Sequence, residues 1–92
     1  MEDNPLITVG IPTYKRNSNL RNILSDLVSQ TYKNFEVVIC DNDPCNTLTF
    51  DEFPSLKIRY FKNQSNIGLL KNTAQLVELA NGHLFCWISD DD

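Results

Sequence analysis

Basic residues and long apolar runs are both scarce in this sequence. Eight Lys and Arg stand against twelve Asp and Glu, and the net charge is −4. General nucleic-acid binders are usually basic, so no nucleic-acid partner is expected. No apolar stretch approaches the ~20 residues of a membrane span, and the acidic first residues do not resemble a signal peptide. The sequence therefore predicts a cytoplasmic protein.

Cysteine and histidine are also few. Cys40, Cys45 and Cys86 are an odd number without CxxC spacing, and His83 is the one histidine. Zinc centres and redox motifs need closely paired ligands, which this spacing does not supply. Cys40 and Cys86 lie in strand-like runs, which predicts that both are small core residues. A reduced protein without a cysteine or histidine metal centre is expected.

The sequence does have apolar runs that alternate with helical patterns. Runs at 6–11, 35–40 and 84–89 predict buried strands, and the alternation at 56–61 predicts a strand near a sheet edge. Apolar stripes at helical spacing predict helices over 20–28 and 69–80, and one weak helical turn is expected within 46–55. This order predicts a single α/β domain over residues 1–92, with a mainly parallel sheet and helices on both faces.

Polar clusters follow three of the predicted strands, at 13–16, 41–43 and 90–92. Ligands of open parallel sheets bind at the carboxyl ends of the strands, so these clusters should share one site. Asp90, Asp91 and Asp92 repel one another unless a cation neutralises them, which favours a divalent metal over a solvated acidic tail. With Lys15 and Arg16 as cations, the site suits a phosphate-bearing substrate and Mg²⁺ or Mn²⁺.

The same segments carry a family resemblance. They are residues 7–16, 30–39, 41–42 and 66–68, Asn72, residues 78–82 and residues 87–92. In this order and spacing, the chain resembles the N-terminal half of a family 2 glycosyltransferase with the Rossmann-like GT-A fold. The resemblance implies transfer of a sugar from a nucleotide-diphosphate sugar, UDP-linked, to an acceptor hydroxyl. The acceptor would be a carbohydrate or a lipid-linked molecule in polysaccharide or glycoconjugate synthesis.

The resemblance also implies roles for individual residues. Asp41 would face the base of the nucleotide, and the acidic triplet would form the DxD-like element that binds Mn²⁺ or Mg²⁺. The implied nucleotide-binding residues are Pro12, Thr13, Tyr14, Arg16, Asp41, Asn72, Asp90 and Asp91. The implied metal ligands are Asp92, Asp90 and Asp91. Asp90 and Asp92 form the formal D-x-D pair, whereas a D-x-D-D reading would put Ser89 in the first acidic place and the metal on Asp91.

In the family the fold continues past the acidic motif, where the acceptor site and a general-base carboxylate lie. We therefore expect this chain to be the donor-binding part of such a domain, truncated after the acidic motif. It should contain no catalytic residue and should be inactive on its own. The full-length protein would act at the inner face of the membrane. An unpaired last strand invites self-association. A non-catalytic nucleotide-binding module and a nucleotidyltransferase stay open as alternatives. A phosphoacceptor domain would need an acidic pair where Thr13 to Arg16 stand.

Overall fold

The computed structural model describes residues 5–89. Its elements are β1 (Ile7–Thr13), α1 (Asn17–Val28), β2 (Phe35–Asp41), β3 (Ile58–Lys62), α2 (Leu69–Leu79) and β4 (Leu84–Trp87). The four strands and both long helices confirm the predicted alternation. Neither helix in the described part of the chain has the length and apolar character that crossing a bilayer requires.

The segment between β2 and β3 forms turns, so the predicted helical turn within 46–55 is wrong. Phe53 N donates to Phe50 O at 3.0 Å, and Leu56 N donates to Phe53 O at 3.1 Å, which closes two successive turns. Pro54 disfavours helical geometry at the residue before it, so these turns do not continue into a helix. Phe53 is nevertheless buried and anchors the segment to the core.

The four strands form one parallel sheet in the order β3-β2-β1-β4. The chain passes from β1 through β2 to β3 and then crosses back to β4 on the other side of β1. All four carboxyl ends therefore lie at one edge of the sheet. Open α/β sheets hold their ligands at this edge, near the point where the strand order reverses.

One helix covers each face of the sheet, as predicted. On one face, Leu20, Leu24 and Leu27 recur at helical spacing along α1 and are buried against the β1 and β2 side chains of that face. On the other face, Leu76 of α2 packs with Val38 and Cys40. Full burial of a leucine side chain stabilises the fold by about 2 kcal/mol. These contacts fix the helices, and hence their ends, relative to the strand ends.

The last strand is less buried than its sequence suggests. Leu84, Phe85 and Trp87 are 56%, 36% and 43% exposed, and Cys86 is exposed as well. The predictions of a buried strand and of a core role for Cys86 are therefore wrong. Within residues 5–89, β4 pairs with β1 alone and forms an edge of the sheet. The apolar residues of β4 are of the kind that is usually buried. Within residues 5–89, however, their side chains are only partly covered.

Candidate functional site

A cavity of about 300 Å³ opens at the carboxyl edge of the sheet, where β1 and β2 end and α2 begins. It is lined by Pro12, Thr13, Tyr14, Arg16, Asn42, Asn66, Gly68, Leu69 and Asn72. Five of the residues predicted to bind a nucleotide are thus brought together: Pro12, Thr13, Tyr14, Arg16 and Asn72. Asp41 is not among the lining residues. Asp90, Asp91 and Asp92 lie outside the described residues.

Asp41, the last residue of β2, precedes the cavity-lining Asn42 and is fully buried. Its Oδ1 accepts a hydrogen bond from Asp43 N at 2.9 Å. Its Oδ2 accepts from Asn46 Nδ2 at 2.7 Å and from the Tyr60 hydroxyl at 2.6 Å. Burial raises the pKa of Tyr60, and the hydrogen bond to Asp41 raises it further. All three of these hydrogen bonds are to groups of the protein itself. Contact between Asp41 and the base of a nucleotide therefore stays a prediction.

Three buried asparagines form a hydrogen-bonded cluster at the cavity: Asn42 and Asn72 line it, and Asn63 bonds to both of them. Asn63 Nδ2 donates to Asn42 Oδ1 at 2.8 Å and to Asn72 Oδ1 at 2.9 Å. Asn72 Nδ2 in turn donates to Cys40 O at 2.8 Å. Buried amides need such partners, and here each partner comes from a different element. The sequence analysis assigned no role to Asn42 or Asn63. Asn42 could have been found, because the pair Asp41-Asn42 belongs to the segments that carry the family resemblance. Nothing in the sequence around Asn63 distinguishes it.

The two predicted cations, Lys15 and Arg16, have different surroundings: Lys15 pairs with Asp43, and Arg16 lines the cavity. Lys15 has a left-handed φ of 56°, and its Nζ lies 3.4 Å from Asp43 Oδ2. The hydrogen bond and charge of Asp43 raise the pKa of Lys15. Arg16, the next residue, lines the cavity and, within residues 5–89, is the one charged residue that does so. The structure therefore assigns to Arg16 alone the cavity position that the sequence predicted for both.

The first turn of α2 adds positive potential to the same cavity. Gly68 precedes the helix with φ 87°, a conformation that other residues adopt only with strain. Gly68 and Leu69 both line the cavity, so the amino end of the helix lies at its rim. Unpaired backbone N–H groups and the helix dipole make such an end favourable for anions. Together with Arg16, it suits a ligand that carries phosphates.

The predicted metal ligands cannot be placed, because the acidic triplet lies outside the described residues. Within residues 5–89, no group of three Asp, Glu, His or Cys side chains could hold a metal ion. β4 runs parallel to β1, so its carboxyl end points to the edge of the sheet that carries the cavity. Three carboxylates are an oxygen donor set, which fits Mg²⁺ or Mn²⁺ by its chemistry.

The sequence model of glycosyl transferase family 2 matches residues 8–92. The chain belongs to this family. One relative is the UDP-Glc:alpha-D-GlcNAc-diphosphoundecaprenol beta-1,3-glucosyltransferase WfgD of Escherichia coli, which is 28% identical over 94 residues. That match covers 98% of this chain and 36% of the relative. The chain spans about a third of the length of WfgD and of two further relatives, WcaA of Escherichia coli and RfbV of Salmonella typhimurium.

Two solved structures share the fold. The mannosyltransferase PcManGT from Pyrobaculum calidifontis, in complex with GDP-Man and Mn²⁺, aligns with a TM-score of 0.79 at 20% identity. This alignment covers 96% of the chain and 28% of PcManGT. TarS 1-349 of S. aureus in complex with UDP aligns with a TM-score of 0.76 at 24% identity, over 92% of this chain and 27% of TarS. The predicted GT-A fold is confirmed.

Proposed function

We propose that this chain supplies the donor-binding part of an enzyme that transfers a sugar from a nucleotide-diphosphate sugar to an acceptor hydroxyl. The acceptor is a carbohydrate or a lipid-linked molecule in polysaccharide or glycoconjugate synthesis. One observation carries the proposal: the cavity at the strand ends is lined by Pro12, Thr13, Tyr14, Arg16 and Asn72, which are residues that the family resemblance assigns to the nucleotide.

Different lining residues would bind different parts of such a donor. Tyr14 is 42% exposed and offers a ring on which a base can stack. Arg16 and the amino end of α2 favour the diphosphate. A Mn²⁺ or Mg²⁺ ion held by Asp90, Asp91 and Asp92 would neutralise charge on the departing diphosphate. WfgD is named for a UDP-sugar, and TarS was solved with UDP, which supports a uridine nucleotide.

Domain extent and location form part of the same proposal. Residues 1–92 act as one donor-binding unit, and the acceptor site and general base of the family lie beyond the acidic motif. Since these residues match about a third of WfgD, we expect them on their own to bind the donor and to transfer sugar poorly. A cytoplasmic location at the inner face of the membrane suits both a nucleotide-sugar and a lipid-linked acceptor. Turnover by the isolated chain at about 1 per second, an ordinary enzymatic rate, would contradict this division of roles.

Self-association is a further part of this proposal. Within residues 5–89 one edge of β4 has no neighbouring strand, and the side chains of Leu84, Phe85 and Trp87 on this strand are exposed. Unpaired strand edges readily pair with another chain, so a second copy is the proposed partner. Sedimentation velocity across a concentration series tests this. Dimerisation that Phe85→Lys abolishes is expected, and a monomer at all concentrations would contradict it.

The test of donor binding is a thermal-shift and calorimetry panel of UDP, GDP, CDP and ADP, each with and without Mn²⁺. A ligand that binds only the folded chain stabilises it, by about 2.7 kcal/mol at a concentration of 100 Kd. We expect UDP with Mn²⁺ to give the largest shift. Asp92→Asn should reduce the metal-dependent part and leave the metal-free melting temperature unchanged. If no diphosphate stabilises the chain with either Mn²⁺ or Mg²⁺, the nucleotide site is wrong.

A further inference from the structure

Asn63 connects Asn42 and Asn72, two of the residues that line the cavity. It follows β3 directly, is buried, and its backbone N donates to Asp41 O at 2.8 Å. Its side-chain amide donates to Asn42 Oδ1 at 2.8 Å and to Asn72 Oδ1 at 2.9 Å. Both hydrogens of one amide nitrogen are thereby used on two cavity-lining side chains. Asn63 itself does not line the cavity.

The two side chains that Asn63 holds are in turn connected to the cavity walls. Asn42 Oδ1 also accepts from Ile67 N at 3.3 Å, and Asn42 Nδ2 lies 3.4 Å from Gly68 O. Asn72 belongs to the first turn of α2 and reaches back to Cys40 O on β2. Asn63 therefore links the end of β2, the turn at 66–68 and the start of α2 through one side chain.

We propose that Asn63 is a positioning residue for the nucleotide pocket, which rests on the donor-binding function proposed above. It sets the orientation of Asn42 and Asn72 and, through them, of the turn and the helix end that face the ligand. Without its amide, two buried acceptor oxygens lose a donor and must rotate or take up water. A pocket that is not already shaped must be ordered on binding, and this ordering weakens affinity.

The decisive variant is Asn63→Asp, which keeps the shape of the side chain but replaces the donor nitrogen with an acceptor. The dissociation constant for UDP with Mn²⁺ would be measured by calorimetry on the full 92-residue chain, at a temperature where every variant is folded. We expect Asn63→Asp to bind at least about tenfold more weakly. Asn63→Ser, a milder change that retains one hydroxyl donor, should give an intermediate affinity and covers the case in which Asn63→Asp fails to fold.

The control is Thr8→Val. Thr8 is as deeply buried and donates to Glu36 Oε2 at 2.6 Å, but it lies toward the amino end of β1, away from the cavity. Thr8→Val should lower the urea midpoint and leave the dissociation constant within about twofold, because neither of its two lost hydrogen bonds, to Glu36 Oε2 and from Gly82 N, touches the pocket. If Asn63 were merely structural, its variants would also lower the urea midpoint and leave the dissociation constant for UDP unchanged. An unchanged dissociation constant in both Asn63 variants therefore overturns the proposal.

Hydrogen exchange gives an independent readout. The Ile67 N–H is bonded to the Asn42 oxygen that Asn63 holds. Its exchange should accelerate in Asn63→Ser and stay unchanged in Thr8→Val, and equal exchange in both variants counts against positioning. The two proposals fail differently. A wild-type chain that binds no diphosphate overturns donor binding and this inference together, whereas wild-type binding that the Asn63 variants retain overturns only the inference.

Discussion

The Tyr60 hydroxyl donates a hydrogen bond to Asp41 Oδ2 across 2.6 Å, so a residue of the edge strand β3 fixes the carboxylate at the end of β2. Asp41 is fully buried, and a buried carboxylate is costly unless its oxygens are hydrogen-bonded. The ring of Tyr60 packs edge-on against Phe50 with centroids 5.4 Å apart. The pair therefore combines a charged hydrogen bond with aromatic packing at the end of β2, one residue before the cavity-lining Asn42.

Replacing Tyr60 with Phe should test the hydrogen bond alone, because the ring and its contact with Phe50 remain. We expect the free energy of unfolding to fall by about 1.5–3 kcal/mol, the range for a hydrogen bond to a charged group. Urea denaturation at neutral pH measures it. Tyr32→Phe is the matched control, since the Tyr32 hydroxyl donates to the neutral carbonyl of Pro5 and should cost about 1 kcal/mol. Equal losses in the two variants would show that the charge of Asp41 adds nothing.

A second prediction concerns acid stability and Glu36. Burial acts to raise the pKa of Glu36, but hydrogen bonds from Thr8 and Asn81 N and the charge of Arg59 outweigh it, so the pKa lies below its usual 4.5. A carboxyl group with a lowered pKa in the folded state stabilises the protein above its unfolded pKa. That stability is lost as pH falls through the folded pKa.

We therefore expect the free energy of unfolding to decrease as pH falls below about 4.5, and Glu36→Gln to remove part of this decrease. Urea midpoints measured from pH 7 to pH 3 give the slopes to compare. Glu52→Gln is the control, because Glu52 forms an exposed ion pair with Arg21 at 3.1 Å that should contribute little. Parallel pH profiles for Glu36→Gln and the wild type would contradict the prediction.

A third prediction concerns Gly10 in the middle of β1. A Cβ at this position would lie 2.6 Å from Cζ of Phe85, whose ring crosses β1 from the edge strand β4. Gly10→Ala should displace that ring and destabilise the chain by roughly 1–3 kcal/mol, as overpacking does. Phe85→Leu in the same background should restore part of the loss, measured by urea denaturation. No recovery would mean that the clash lies elsewhere.

Local sequence signals account for most of the fold and for part of the site. Apolar runs and helical spacing are properties of short segments, so they predict the strands, the helices and the edge where Thr13 and Asn42 meet. The role of Asn63 could not be predicted, because it exists only once the end of β3 lies beside β2 and α2. The direction of Lys15 depends on one left-handed backbone angle. The exposure of β4 depends on which other elements cover the sheet, and this cannot be predicted from the apolar residues of the strand itself.

The fourth prediction separates Arg16 from Lys15. Arg16 lines the cavity, whereas Lys15 is paired with Asp43 at 3.4 Å outside it. Arg16→Gln should weaken UDP binding about tenfold, since it removes a charge from the cavity that we propose for the diphosphate. Lys15→Gln removes the same charge one residue away and should change affinity less than about threefold, because the charge of Lys15 is already paired with Asp43. Calorimetry at 50 and 500 mM salt should show a weaker salt dependence in Arg16→Gln alone, and equal effects in both variants would remove the distinction.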